Sequence, residues 1–356
     1  MVGVGSVEDM WNNRQRVWSV WAWTTCSNVG LVLGPIYGAY ITAYLNWRWS
    51  FYIATIVMAA LTVGSFFVQE SRPTRLLQRK LEAIRKETGH DELQIRNPDH
   101  LPTAQEFINI ALLRPLKLFF TEPIVFFCSV MIGIAFGLIY GLTESLTIVY
   151  EEFGFSTQAT TLPFIAILVG LLLTAFSRLY DLRVLGQLAQ DNATIDPEAK
   201  IRPYVTAVAS LVIGLWWFAW TIPPRAYTHW IVPTISLVLI GVAANDFDTV
   251  LCGYLSDAYT IYASSAFAAV AACRALVAAG FALWTYPMYT NLDPNIATSI
   301  LAVISTIFAV TPWIFLKYGR QLREHSEFAR YSTRMENKTS LEAGAVGMTE
   351  LDSYSA

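Results

Sequence analysis

The chain has 356 residues, 54% of them hydrophobic and 14% charged, with a net charge of −3. Together with a positive mean hydropathy, this excludes a soluble domain of average composition. The small net charge says little by itself, because charge in a membrane protein acts through its distribution among loops; no nucleic-acid partner is expected.

The opening MVGVGSVEDM has no basic region, so it does not read as a signal peptide. After Arg14 and Arg16, an apolar run from about residue 18 to 44 contains no charge before Arg48. That length predicts a membrane span. Within it Gly30, Gly34 and Gly38 recur every four residues, a nearly side-chain-free stripe that predicts backbone-to-backbone approach by a neighbouring helix. Pro35 removes one hydrogen bond inside that stripe and should bend the helix. Asn28, near the middle of the span, reads either as a cavity residue or as an interhelical hydrogen bond. Trp47 and Trp49 mark an interfacial turn, and a second span follows at about 50–68.

Residues 71–117 are polar and hold nine Lys or Arg, including an amphipathic basic piece, RLLQRKLEAIRKETG. Six more spans follow at about 124–149, 159–177, 204–222, 230–252, 261–289 and 295–316. Hydrophobicity then falls, and a Ser/Glu/Ala-rich end predicts disorder over 321–356. The fold class expected is an all-α polytopic membrane protein of eight spans. The segments before the first span, after the second, after the fourth and after the eighth hold 2, 9, 4 and 6 Lys or Arg, against only Arg48 and Arg225 in the opposite loops. The positive-inside rule therefore puts both termini in the cytoplasm. Sequons at Asn192 and Asn337 fall on that side and read as accidental.

Arg274 lies about 13 residues into its span, near the midplane at ~1.5 Å per residue. A charge there costs at least ~2.5 kcal/mol and faces a bundle interior or a wet cavity. It reads either as a structural ion pair or as a substrate or proton-coupling group. Asp246 and Asp248 are its candidate partners, and depth along the helix favours Asp246. Glu144 sits toward the outer end of the third span, one turn from Tyr140. It reads as a proton-exchange or cation-capturing carboxylate, or as a cap on the outer mouth; Tyr140 offers an aromatic face to a cation. Trp216, Trp217 and Trp220 form an interfacial belt. Arg178, Asp181 and Arg183, directly after the fourth span, read as a gate that latches helix ends in one state, or as solvated loop charges. The four cysteines lie in apolar runs and the four histidines stand singly, so no metal, cofactor or enzymatic constellation is expected.

The string GLVLGPIYGAYI resembles the fifth-helix antiporter motif of major facilitator superfamily drug/proton antiporters, gxxxGPxxGGxI, at Gly30, Gly34, Pro35, Gly38 and Ile41. Ala39 stands where the family has a second Gly. ESRPTRLLQRKLEAIRKETG, RPLKLFFTEPIVF, WWFAWTIPP, FDTVLCGYLSDAY and KYGRQLREHSEFA are similar to strings of the family's fungal branch, which includes polyamine and multidrug exporters, and cover nearly all of residues 12–330. Leu283 stands where the family tends to have Pro. The resemblance implies a twelve-span fold of two six-helix halves, with the eight spans here matching the fifth to twelfth and the first four lacking. It divides the chain into 1–70, the last two helices of the amino-terminal half; 71–117, a cytoplasmic linker; 118–320, a complete carboxy-terminal half; and 321–356, the tail. It further implies alternating-access efflux of drugs, toxins or polyamines, protons as coupling ion, and residence in the plasma-membrane lipid bilayer. The alternative is a transport-inactive membrane fragment or regulatory partner of a full-length transporter.

Overall fold

The computed structural model describes residues 13–67, 73–88, 103–190, 201–224, 228–332 and 334. Among them there is no strand. The helices are α1 (Asn13–Tyr44), α2 (Arg48–Ser65), α3 (Pro73–Thr88), α4 (Ala104–Ile108), α5 (Arg114–Thr121), α6 (Pro123–Glu152) and α7 (Phe164–Leu173), followed by α8 (Ala175–Gln190), α9 (Arg202–Thr221), α10 (Ile231–Tyr259), α11 (Ala263–Asn291), α12 (Pro294–Phe308) and α13 (Thr311–His325). Their boundaries follow local chemistry. Thr103 and Glu106 close a capping box at α4. Pro residues open α6, α9, α12 and α13, where the missing N–H costs nothing. α1 is continuous through Pro35, and α11, with Leu283 inside, is continuous through Pro287.

Among the described residues, six stretches are long and apolar enough to cross a membrane: α6, α7 with α8, α9, α10, α11, and α12 with α13. They coincide with the third to eighth predicted spans. On this criterion six of the eight expected spans are found among the described residues. α1 and α2 form where the first two spans were expected, but Ser19, Thr24, Thr25, Ser27 and Asn28 dilute α1, and Arg48 falls within the 18 residues of α2.

The bundle is built around α10, in which every residue from Ala243 to Cys252 is buried. α6, α7, α9, α11 and α1 pack around it. Two of these contacts are backbone-close. A Cβ on Gly170 of α7 would fall on the Val238 carbonyl oxygen of α10, and one on Gly241 of α10 would fall on the Ile167 carbonyl oxygen of α7. Along α6, Gly133, Gly137 and Gly141 make a second four-residue stripe, against which Val277, Phe281 and Thr285 of α11 lie; a Cβ on Gly137 would come within 2.6 Å of the Phe281 ring.

The close approach expected at Gly30, Gly34 and Gly38 is not formed: nothing lies within 4 Å of a Cβ at any of the three. Small residues permit approach but do not supply the partner. Here the face of α1 carrying Trp21, Thr24, Thr25 and Asn28 makes the hydrogen bonds to α7–α8 and α10, and α2 buries none of its residues. Gly34→Leu is accordingly expected to change stability by less than ~0.5 kcal/mol in this chain, whereas Gly137→Leu should cost about 1–3 kcal/mol through overpacking. Thermal unfolding of the two variants in one detergent checks the contrast, and equal losses would refute it.

At the other end of the chain, order extends further than composition suggests. Phe328 meets the Tyr262 ring edge-on at 5.0 Å, and Ala329 and Ser332 are buried. Residues 335–356 of the tail predicted to be disordered lie outside the described residues, as do Asn192, Asn337 and Arg225.

Candidate functional site

α10 carries five consecutive residues, Asn245-Asp246-Phe247-Asp248-Thr249, whose polar members face three different neighbours. Successive side chains step about 100° around a helix. Asn245 and Thr249, one turn apart, therefore share a face, while Asp246 and Asp248 diverge by about 200°.

The Asn245 face meets α1 and the break between α7 and α8. The Asn28 amide donates to the Asn245 Oδ1 at 3.0 Å. Asn245 in turn donates to the hydroxyls of Thr25 at 2.9 Å and Thr174 at 2.7 Å. Thr174 also accepts from the Trp21 indole at 2.9 Å and donates to the Leu171 carbonyl at 2.6 Å, which uses its full hydrogen-bonding capacity at the point where α7 gives way to α8. The Thr24 and Thr249 hydroxyls are 2.8 Å apart. Asn28 is therefore an interhelical hydrogen-bonding residue and is not part of a cavity wall. Trp21, Thr24, Thr25 and Asn28 recur at helical spacing on α1; only Asn28 drew notice in the sequence, because Thr and Trp in a span are too common to single out.

Asp246 turns to α8. Its Oδ1 accepts from Arg178 Nη2 at 2.7 Å and from the Ser177 hydroxyl at 3.0 Å. The other arm of Arg178 meets Asp181 at 2.9 Å, and Ser177 accepts from Arg178 Nε and Nη2 at 3.2 and 2.9 Å. Arg178 is 3% and Asp246 1% exposed. Arg183 is exposed, outside this cluster. The three gate candidates thus separate into a buried pair-former, its second carboxylate, and a surface charge.

Asp248 turns to α11, where Arg274 Nη1 lies 3.9 Å from its Oδ1. The pairing expected between Arg274 and Asp246 is therefore not formed. Depth along the helix suggested it, but azimuth decides: Asp246 faces α8 and Asp248 faces α11. The Cys252 thiol donates to the same Asp248 oxygen at 3.5 Å. The Arg274 guanidinium also stacks over the Phe136 ring at 4.1 Å.

Arg274 opens onto a cavity of about 610 Å3 between α1, α6 and α11, within the range of small-molecule sites. Ser27 and Leu31 contribute from α1, Phe136 and Tyr140 from α6. Ala271, Ala275, Ala278, Ala279 and Ala282 of α11 also line it; their helical spacing puts these small side chains on one face and leaves the volume open. Tyr140 faces the cavity. Glu144, one turn further on, is exposed and is not among the lining residues. The arrangement can enclose an apolar or amphipathic molecule beside a cation, with a buried ion pair nearby that holds α8 to α10.

The Major Facilitator Superfamily model matches residues 2–283. The chain is 29% identical to a major facilitator superfamily multidrug transporter of Candida albicans, over 92% of this chain and 55% of that protein. It is 34% identical to an MFS-type transporter of Penicillium rubens over 92% and 64%, and 31% identical to an efflux pump of Fusarium oxysporum over 93% and 56%. It thus spans about 55–64% of the length of these relatives. No solved structure matches. On the extent of the family match, the chain belongs to the Major Facilitator Superfamily.

Proposed function

We propose that the protein works as a membrane transporter that moves small amphipathic compounds outward by alternating access, with protons as the coupling ion. The observation that carries this reading is the cavity between α1 and the α6/α11 pair, with Arg274 in its wall. Alternating access needs such a central site together with contacts that lock one state and release in the other. In this reading Arg178, Asp181 and Asp246 are the lock, Arg274 and Tyr140 face the substrate, Asn28 supports the α1 interface, and Glu144 receives protons at the outer mouth. α1 and α2, within residues 1–70, cross the membrane in addition to the six more apolar stretches; 71–117 is the cytoplasmic linker and 118–320 forms one six-helix half. Both termini lie in the cytoplasm of a plasma-membrane protein. The names of the curated relatives, which include a multidrug transporter and efflux pumps, support export over uptake.

Flux tests the function: purified protein in sealed vesicles should move a fluorescent amphipath against its gradient when an imposed pH difference is present, and a protonophore should abolish that movement. Flux equal to that of empty vesicles would reject it. Sidedness is tested separately. Single cysteines at Ser71 and Thr228, in an otherwise cysteine-free chain, should react with an impermeant maleimide from opposite faces of sealed membranes; reaction from one face would reject the eight-span arrangement.

A further inference from the structure

The two intramembrane arginines differ in how completely they are partnered, and the difference bears on what the cavity binds. Arg178 holds two carboxylates at hydrogen-bonding distance, Asp246 at 2.7 Å and Asp181 at 2.9 Å, with Ser177 as a third partner. Arg274 has a single carboxylate at 3.9 Å and, among the described residues, no hydrogen bond. A guanidinium carries five N–H donors in a planar fork suited to a carboxylate, so Arg274 keeps donors that its surroundings leave unused.

The exposures show where those donors point. Asp248 is 3% exposed and lies behind the cavity wall, whereas Arg274 is 31% exposed and forms part of that wall. The charge presented to the cavity is therefore positive. Around it the wall is mostly apolar or aromatic, with Phe136 stacked under the guanidinium, Tyr140 and the alanines of α11 that flank Arg274 on its own helix, and the Ser27 hydroxyl as an uncharged polar group. Among the described residues no carboxylate lines the cavity, which leaves a protonated amine nothing there to pair with.

We propose that this cavity takes a small hydrophobic carboxylate, an aromatic or branched aliphatic acid, whose two oxygens accept from Arg274 while its apolar body lies between Phe136, Tyr140 and the alanine face. Asp248 stays in place behind the guanidinium, so that Arg274 comes to bridge two carboxylates as Arg178 does. A polyamine, which the resemblance to the fungal branch brings forward as a substrate, is the chemistry this wall serves least. The inference rests on reading the cavity as the substrate site, and its test needs no transport.

Binding of 4-phenylbutyrate, 4-phenylbutyramide and 4-phenylbutylamine to the purified chain in lipid nanodiscs separates the charge classes on one apolar body. The butyrate is expected to bind at least about tenfold more tightly than the other two, as charge-assisted hydrogen bonds would give. Arg274→Gln should bring the butyrate to the level of the amide, and Arg274→Lys should retain part of the difference. Ala279→Trp fills the cavity without changing its charge and should weaken all three probes together, which separates site occupancy from a folding defect. Because Arg274→Gln leaves Asp248 buried without its cation, the Arg274→Gln, Asp248→Asn double variant, with the same loss of butyrate preference and thermal unfolding close to the parent's, provides the second control. An amine that binds as tightly as the butyrate, a butyrate affinity unaffected by Arg274→Gln, or no binding of any probe would overturn the proposal. Failure here with intact flux would leave the transport reading standing, and the reverse result would leave a carboxylate-binding site without transport.

Discussion

Arg178→Ala is expected to destabilise the bundle by about 3–5 kcal/mol, because it leaves the Asp246 carboxylate buried with no cation. Asp246→Ala should cost less, about 1–2 kcal/mol, since Arg178 keeps Asp181 at 2.9 Å. This asymmetry is specific to a three-member cluster; an isolated pair would give two similar losses. Combining Arg178→Met with Asp246→Leu should recover most of the stability, as replacement of buried ion pairs by apolar residues of similar volume commonly does. If the pair acts as a lock, the recovered protein should still have lost flux. Thermal unfolding of the four proteins measures the first part and vesicle flux the second. Equal losses in the two single variants would reject the cluster, and full flux in the double variant would reject the lock.

The second large effect is expected at the crossing of α7 and α10. Gly241→Ala adds one methyl group, yet its Cβ would fall on the Ile167 carbonyl oxygen. Backbone cannot yield as a flexible side chain does, so the helices must separate and strip contact from the most enclosed helix of the bundle. A loss of about 3 kcal/mol or more follows, at the upper end of overpacking costs. Gly280→Ala on α11, where nothing lies within 4 Å of the new atom, should be near neutral. Parallel unfolding curves report both, and a neutral Gly241→Ala would mean that the crossing is looser than its geometry.

The difference between the two glycine stripes shows what was legible in the sequence. Spacing announces Gly30-Gly34-Gly38 and Gly133-Gly137-Gly141 equally well, but only the second stripe meets a partner, the α11 side chains Val277, Phe281 and Thr285. Spacing reports that a helix can be approached closely; the approaching element is set by tertiary arrangement. The spans themselves were legible, since a run of twenty apolar residues has few other uses. The positions of α6 to α13 accordingly follow the predicted third to eighth spans, while the polar dilution of α1 and the Arg at the start of α2 leave those two short of the same criterion.

The charged residues follow the same division. Intramembrane charge singled out Arg274, Asp246 and Asp248, because such residues are costly without a partner or a cavity. Which acid meets which base depended on rotation about α10, and only the directions of the neighbouring helices fix that. For Arg178 a solvated loop charge is the simpler reading and a latch the other, since it lies just past an apolar run; its burial depends on α8 continuing the path of α7 beyond Thr174. The Trp21, Thr24, Thr25 seam went unnoticed because its partners, Thr174, Asn245 and Thr249, are more than 140 residues away in sequence.

The central claim is that the Arg274 cavity opens to each side of the membrane in turn, under control of the Arg178–Asp246 contact. A single cysteine in place of Ala279, which lines that cavity, in an otherwise cysteine-free chain reads this directly through its rate of reaction with an impermeant maleimide from each face of sealed vesicles. Reaction is predicted from both faces, with a reversed imposed pH gradient raising one rate as it lowers the other, and with the Arg178→Met, Asp246→Leu double variant shifting the balance toward one face. Reaction from one face alone, unaffected by gradient or by loss of the ion pair, would contradict the account.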